Sequence, residues 1–400
     1  MLISVSKARK LIDESLPSPK QTTLPLNKSN GYVLAAGTEA ERDYPPFDRI
    51  TMDGIAIAST SFTGAGQQMI LEGYAQAGKP QAKLKDSSVA IEVATGAPLP
   101  RGADTIIPYE EITKQTGKVV LNTKLVHAGQ YVHSQGSDCK QGTVVIKKGS
   151  MIGPPEIAIL SSNGINAVAV FAKPRIAIIT TGDELVTNNT KIEPHQLRRS
   201  NDVMLQTAIQ ERGFTNIYCT HLSDDAGLLH AELAEVLKKV DIVLITGGVS
   251  KGTYDLIPDV LEKLGVKNIF HGVRQRPGKP MWFGKKGNTL VFGLPGNPVS
   301  ALTCTLNYVI PVLKKVSGHV ELVTEHKTLG EAVDINSPLT VFLPVKANPE
   351  DEMISVPHNG SGDFTSLADS CGFIELSGDT DHFYAGERYP FTPWRKPCLF

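Results

Sequence analysis

Three glycine-rich stretches hold the residues best suited to chemistry: TTGDEL (180–185), TGGVSKGTYD (246–255) and GLPGNPVSA (293–301). Gly247, Gly248 and Gly252 let the backbone approach a ligand closely, and successive N–H groups in such loops point at an anion. Acids accompany them. Asp183, Glu184 and Asp255 lie in or beside these loops, Asp224 and Asp225 follow in SDD (223–225), and Asp53 and Asp138 come from other segments. Carboxylates beside phosphate-cradling glycines suit Mg²⁺ or another divalent cation, which takes few protein ligands plus substrate oxygens. Asp225 reads equally well as a charge at a helix N-terminus. The basic set is Lys251, Arg274, Arg276 and Lys279, with RQRPGKP stiffened by two prolines. Arginine forks match oxyanions, whereas lysine acts as a point charge. For any single loop a tight turn is the simpler account of its glycines; three loops at one sheet edge favour a ligand.

That common edge is an expectation from the flanking elements. Over 174–317, apolar runs alternate with helical periodicity, as in RIAIITTG, NIYCTHL, DIVLIT and NTLVF. Strands alternating with helices predict a doubly wound, mostly parallel sheet covered on both faces, whose ligands bind at the carboxyl ends of the strands. Helices are expected near 201–212, with Asn201 as a candidate cap and Gly213 as stop, and at 225–239, with Leu229, Leu233, Val236 and Leu237 on one stripe. A further helix is expected to open at about Pro298, adding a dipole favourable to phosphate. Residues 3–17 form an amphipathic pattern, and PPEIAILSSNG reads as a helix opened by proline and stopped by Gly164. Residues 54–135 and 328–400 show short alternating runs with Gly and Pro punctuation, the pattern of small β domains.

Composition excludes several classes. The chain has 400 residues, 41% hydrophobic and 20% charged, with net charge -1. It is long enough for two to four domains, and nothing global draws it to nucleic acid or an anionic membrane. Five scattered cysteines without C-x-x-C argue against a disulfide framework or thiolate metal site. No run approaches a membrane span and the N-terminus lacks the apolar region of a signal peptide, so a cytoplasmic location is expected. G-x-G-x-x-G, H-E-x-x-H and G-x-S-x-G are absent, and GVRQRPGK (272–279) has one residue too many for a P-loop, with Pro280 in the Ser/Thr position.

The chain resembles the molybdopterin molybdotransferase family, the family of MoeA and the gephyrin E-domain. The resemblance rests on PPFDRITMDGIAI (45–57), ATGAPLPRGADTIIPYEE (94–111), TTGDEL, SDD, TGGVSKGTYD, RPGKP (276–280), GLPGNPVSA and HNGSGDFTSLADSCGFIEL (358–376), in this order. It implies a multidomain α/β plus β fold: a discontinuous N-terminal domain (1–45 and 137–173), an inserted β domain (46–136), an αβ molybdopterin-binding domain (174–327) and a C-terminal β domain (328–400). It implies a homodimer whose site lies between the αβ domain of one subunit and the inserted region of the other, with possible contacts to molybdopterin adenylyltransferase and apo-molybdoenzymes. The implied reaction inserts molybdate into adenylated molybdopterin, with metal-dependent hydrolysis and release of AMP. Asp53, Glu184, Asp224 and Asp255 would handle metal and water, with Glu184, Asp224 and Asp255 as the metal ligands. Thr95, Gly96, Asp138, Thr181, Gly182, Gly248, Ser250, Lys251, Arg276, Lys279, Pro295, Asn297 and Pro298 would bind substrate. His133 and Ser134 stand where many relatives carry arginines, Arg276 where lysine is frequent, and Pro344 where arginine is common. Two alternatives remain: molybdopterin adenylyltransferase, which shares the αβ domain, and a non-catalytic scaffold.

Overall fold

The alternation of the strands settles which faces are buried. In Ile176–Thr181 every residue is buried, and successive side chains point to opposite faces. Ile176 and Ile178 join a core with Leu205, Ala208 and Ile209 of the helix Asn201–Gln210, whereas Ala177 and Ile179 join Leu229, Leu233, Val236 and Leu237 of the helix Ala226–Lys239. The computed structural model describes residues 2–187, 189, 191–249, 256–320 and 323–395. Among these residues the chain forms two compact units, one of Met1–Leu24, Gly31–Ala35 and Ala169–Phe400, the other of Pro25–Asn30 and Ala36–Val168.

In the first unit a six-stranded sheet runs in the order Ile217–Leu222, Ile176–Thr181, Ile242–Thr246, Thr289–Leu294, Trp282–Lys286, Lys267–His271. The first four strands are parallel, as expected. The last two are antiparallel and extend the sheet through a hairpin turning at Gly287 and Asn288. Sequence periodicity passes over them because WFGKK and KNIFH carry lysines that reach solvent from short strands. Phe270, Phe283 and Phe292 stack across this extension at centroid distances of 5.5 and 4.9 Å. A second sheet orders Gln275–Arg276, Thr340–Ala347, Gly372–Leu376, Arg388–Pro393 and Glu325–Thr328. Its Phe342, Phe373 and Trp394 enter the same core as the parallel sheet, while Leu343, Val345, Ile374 and Leu376 form its own. The RPGK segment therefore starts on a strand of this second sheet, with Arg276 paired to Val341.

The second unit holds a mixed six-stranded sheet ordered Thr105–Pro108, Gly54–Ile57, Val89–Val93, Gln68–Ala75, Lys118–Leu121, Ile112–Gln115. Ile55, Ile57 and Ile107 pack on one side and Ala56, Ile91 and Ile106 on the other. The helix Pro154–Ser162 begins at its proline, and Gly164 follows at φ +71°. Asn201 corrects an expectation: it is the first helical residue and Ser200 is the cap, because the Asn201 amide is used elsewhere. Among the described residues no helix is long and apolar enough to cross a membrane.

Candidate functional site

At the carboxyl end of the parallel strands, three described loops converge. Gly247 lies so close to the first loop that a Cβ there would stand 2.6 Å from the Thr181 carbonyl oxygen and 2.8 Å from its Oγ1; one on Gly248 would be 3.3 Å from the same hydroxyl. Gly296 is 3.8 Å from the Gly247 Cα on the same measure. Asn201 ties the third loop in, donating through Nδ2 to Thr246 Oγ1 at 2.8 Å and to the Gly296 carbonyl at 2.7 Å. This is the bond that removes it from capping. Thr181, Gly182, Gly248 and the turn of Pro295 and Asn297 into the helix at Pro298 thus belong to one sheet edge. Among the described residues, Thr181 Oγ1 and Asn201 Oδ1 are both buried there without a hydrogen-bond partner. Buried polar groups are nearly always satisfied, so two orphans at a sheet edge mark where a ligand's polar atoms fit.

The acids cluster beside this edge. The Asp224 N–H donates to Asp183 Oδ1 at 3.1 Å, and the Glu184 carboxylate folds back over Gly182, within 2.5 Å of where a Cβ would sit. Partial burial, then the charges of Asp183 and Glu184, push the Asp224 carboxyl above its ordinary range, against smaller opposing effects of the Asp183 hydrogen bond and His221. His221 contacts Thr180 Oγ1 through Nδ1 at 3.1 Å. Asp225 takes the role its sequence position allowed, capping the helix Ala226–Lys239 by accepting from the Leu228 N–H at 2.8 Å. Among the described residues no group of three His, Cys, Asp or Glu side chains is arranged to hold a metal ion. Ser250, Lys251 and Asp255 lie outside the described residues.

Arg276 and Lys279 are exposed, at either end of the RPGK segment. Arg276 lines a cleft of about 750 Å³ with Val299, Val333, Phe342, His358 and Ser361. Asn297 Nδ2 donates to Ser361 Oγ at 3.0 Å, joining the GLPGNP turn to the HNGSG loop.

The second unit gathers the remaining predicted positions. Asp53 Oδ1 accepts from the Thr95 N–H at 2.6 Å and the Thr95 hydroxyl at 2.9 Å, and these bonds hold its carboxyl below the usual range. Gly96, at φ +85°, donates its N–H to the Ile50 carbonyl. His133 Nε2 lies 2.7 Å from Asp138 Oδ1, and Arg49 reaches His133 Nδ1 at 3.2 Å. A guanidinium does stand beside Asp138's partner, but it comes from the DRITMDG segment across the Arg49–His133 strand pair. Arg49, His221 and Ser361 were not singled out from sequence, and Asn201 reads there only as a helix cap. Arg49 and Ser361 had a signal there, their place in quoted family motifs.

Residues 3–164 match the family described as the MoeA N-terminal region (domains I and II), and residues 177–315 match one described as a probable molybdopterin binding domain. The chain is 40% identical over 400 residues to a molybdopterin molybdenumtransferase from Synechocystis sp., covering 98% of this chain and 100% of that protein. A Staphylococcus aureus protein of the same name is 31% identical over 395 residues, covering 96% and 94%. The crystal structure of the molybdopterin biosynthesis MoeA protein from Pyrococcus horikosii superposes with a TM-score of 0.85 at 30% identity, covering 99% of this chain and 100% of that one.

Proposed function

Because the chain belongs to the molybdopterin molybdenumtransferase family, it is a transferase of molybdenum cofactor biosynthesis, and we propose that it inserts molybdate into adenylated molybdopterin with hydrolysis of the pyrophosphate link and release of AMP. Similarity over 98% of the chain carries this reading: it extends through the β regions, beyond the αβ part that an adenylyltransferase would need. Thr181 and Gly248, with Pro295, Asn297 and Pro298, bind the substrate at the sheet edge, where the unpartnered Thr181 Oγ1 and Asn201 Oδ1 favour a polar ligand. Arg276 and Lys279 hold an oxyanion, either molybdate or a substrate phosphate. Asp53 acts as a fixed, ionised acceptor oriented by Thr95, and Asp138 and Gly96 serve the substrate from the same unit.

The acid cluster suits a divalent cation: burial first, and then the charges of Asp183 and Glu184, raise the Asp224 carboxyl, and such an ion would offset both by favouring the charged form. Glu184 and Asp224, with Asp255, would hold Mg²⁺, which when bound supplies charge neutralisation at the pyrophosphate. Ser250 and Lys251 would contact substrate phosphates. The protein acts in the cytoplasm as a homodimer with a site shared between subunits, receiving substrate from the adenylyltransferase and delivering cofactor to apo-molybdoenzymes.

Purified protein given adenylated molybdopterin, molybdate and Mg²⁺ is expected to release AMP and to yield cofactor that activates an apo-molybdoenzyme. Absence of AMP release sinks the proposal, and consumption of ATP with release of pyrophosphate would indicate adenylation instead.

A further inference from the structure

The helix that starts at the GLPGNP turn is interrupted. It runs as Pro298–Cys304, then a π turn Thr305–Val309, then Ile310–Val316. A π turn inserts one residue and is often retained for function. Among the described residues, the buried Thr303 hydroxyl just before it and the Thr305 hydroxyl within it have no partner, which local packing alone would select against. The turn aims two successive residues at different partners. Asn307 accepts from Arg9, which also donates to Glu375 Oε1 at 3.1 Å. Tyr308, 1% exposed, donates its hydroxyl to Oε1 of Gln275.

Gln275 is 0% exposed and immediately precedes Arg276. Its Nε2 donates to the Pro277 carbonyl at 3.0 Å and to Cys304 Sγ at 3.4 Å. Gly278 closes over this amide at φ +93°, where a Cβ would stand 2.5 Å from both Gln275 Nε2 and Cys304 Sγ. Burial pushes the Cys304 thiol up to about 12 and the Tyr308 phenol well above its ordinary value, so both stay neutral. The segment that carries Arg276 and Lys279 is therefore wrapped around one buried amide, whose orientation is set by one buried hydroxyl.

We propose that Tyr308 and Gln275 are a positioning pair that fixes the spacing of Arg276 and Lys279 for an oxyanion, an inference that rests on those two residues holding molybdate. Neither member touches the ligand. Their effect is to hold two flexible charged side chains on a backbone that cannot relax, so that the loss of either loosens oxyanion capture while the distant reacting groups keep their geometry.

The test compares Tyr308→Phe, Gln275→Met and Arg276→Ala by steady-state kinetics in molybdate and in adenylated molybdopterin, with thermal melting alongside. Tyr308→Phe and Gln275→Met are expected to raise KM for molybdate about tenfold, the scale of a small misplacement of a binding group. The KM for adenylated molybdopterin and kcat should stay within about twofold, since other residues serve them. Arg276→Ala should raise KM for molybdate at least as much. A raised KM in Arg276→Ala with wild-type KM in Tyr308→Phe and Gln275→Met overturns the positioning role and leaves the oxyanion reading intact. An unchanged KM for molybdate in Arg276→Ala removes the reading that Arg276 and Lys279 hold molybdate, and this inference with it. A parallel fall of kcat, both substrate affinities and melting temperature, or failure of both variants to fold, makes the pair structural and overturns the proposal.

Discussion

Gly247→Ala tests whether the loops at the sheet edge meet as described. Gly247 has φ +99°, and the added methyl would lie 2.6 Å from the Thr181 carbonyl oxygen and 2.8 Å from its Oγ1. The left-handed backbone alone costs about 1–2 kcal/mol. Overpacking against a backbone atom adds about 1–3 kcal/mol, because neither loop can turn a flexible side chain aside. The sum is about 2–5 kcal/mol, and at about 2–4 °C per kcal/mol for a unit of this size the melting temperature should fall by about 4–20 °C. Gly265→Ala isolates the backbone contribution: its φ is +76° with nothing within 4 Å of the added carbon, so a drop of only about 2–8 °C is expected. Scanning calorimetry reads both variants, and AMP release is measured where each is fully folded. Relief of the clash must move Thr181 or the Gly247 loop, so turnover of Gly247→Ala should fall at least tenfold while Gly265→Ala keeps wild-type turnover. If Gly247→Ala melts together with Gly265→Ala and remains active, the convergence of these loops is wrong.

Two predictions concern stability and one concerns catalysis. Burial opposes ionisation of Asp241, but the Arg175 and Lys20 hydrogen bonds outweigh it and hold its carboxyl at about 2 rather than 3.8. A depressed carboxylate stabilises above its unfolded pKa and loses that contribution as pH falls through the folded value, so Asp241→Asn should cost about 2 kcal/mol at pH 7 and progressively less between pH 4 and 2. Denaturant titrations across that range check it, and a cost independent of pH would refute it. Asn201→Ala removes the donor to the Thr246 hydroxyl and the Gly296 carbonyl, so unfolding free energy should drop by about 1–3 kcal/mol; a change below about 0.5 kcal/mol would dismiss the network. Asp53→Ala should lower turnover far more than melting temperature, and equal losses would make Asp53 structural.

Most of the architecture was legible because it follows local rules. Ile176–Thr181 and Ile242–Thr246 are apolar throughout, as strands covered on both faces must be. Glycines after the strands read as room for a ligand; in the structure Gly247 lets its own loop approach Thr181. What sequence could not yield is pairing across the fold. Asn201 has the type and position of a helix cap, yet tertiary contacts take its amide to Thr246 and Gly296. Arg49 stands far from His133 in sequence and becomes its neighbour through a two-residue strand pair. The π turn is invisible for another reason: LTCTLNYVIPVL has ordinary helical periodicity, and only the partners of Asn307 and Tyr308 reveal the added residue. Lys267–His271 and Trp282–Lys286 escaped because both are short and carry lysines that break the apolar pattern.

The two carboxylates at the centre of the proposal are prepared in opposite senses. Asp53 receives two hydrogen bonds from Thr95, and its charged form is favoured. Asp224 is partly buried among like charges, and its charged form is disfavoured. Environments that push carboxylates apart assign them different work. Asp53 suits a permanent acceptor whose direction is fixed before substrate binds. In the proposed function Asp224 would be a ligand whose charge is needed only when a cation is present, and the cost of crowding Asp183, Glu184 and Asp224 would become binding free energy for that ion. An acid cluster kept only for solubility would gain nothing from a backbone N–H spent holding Asp183 against Asp224. That bond maintains the crowding, which makes a cation-binding role the more economical reading of the sheet edge.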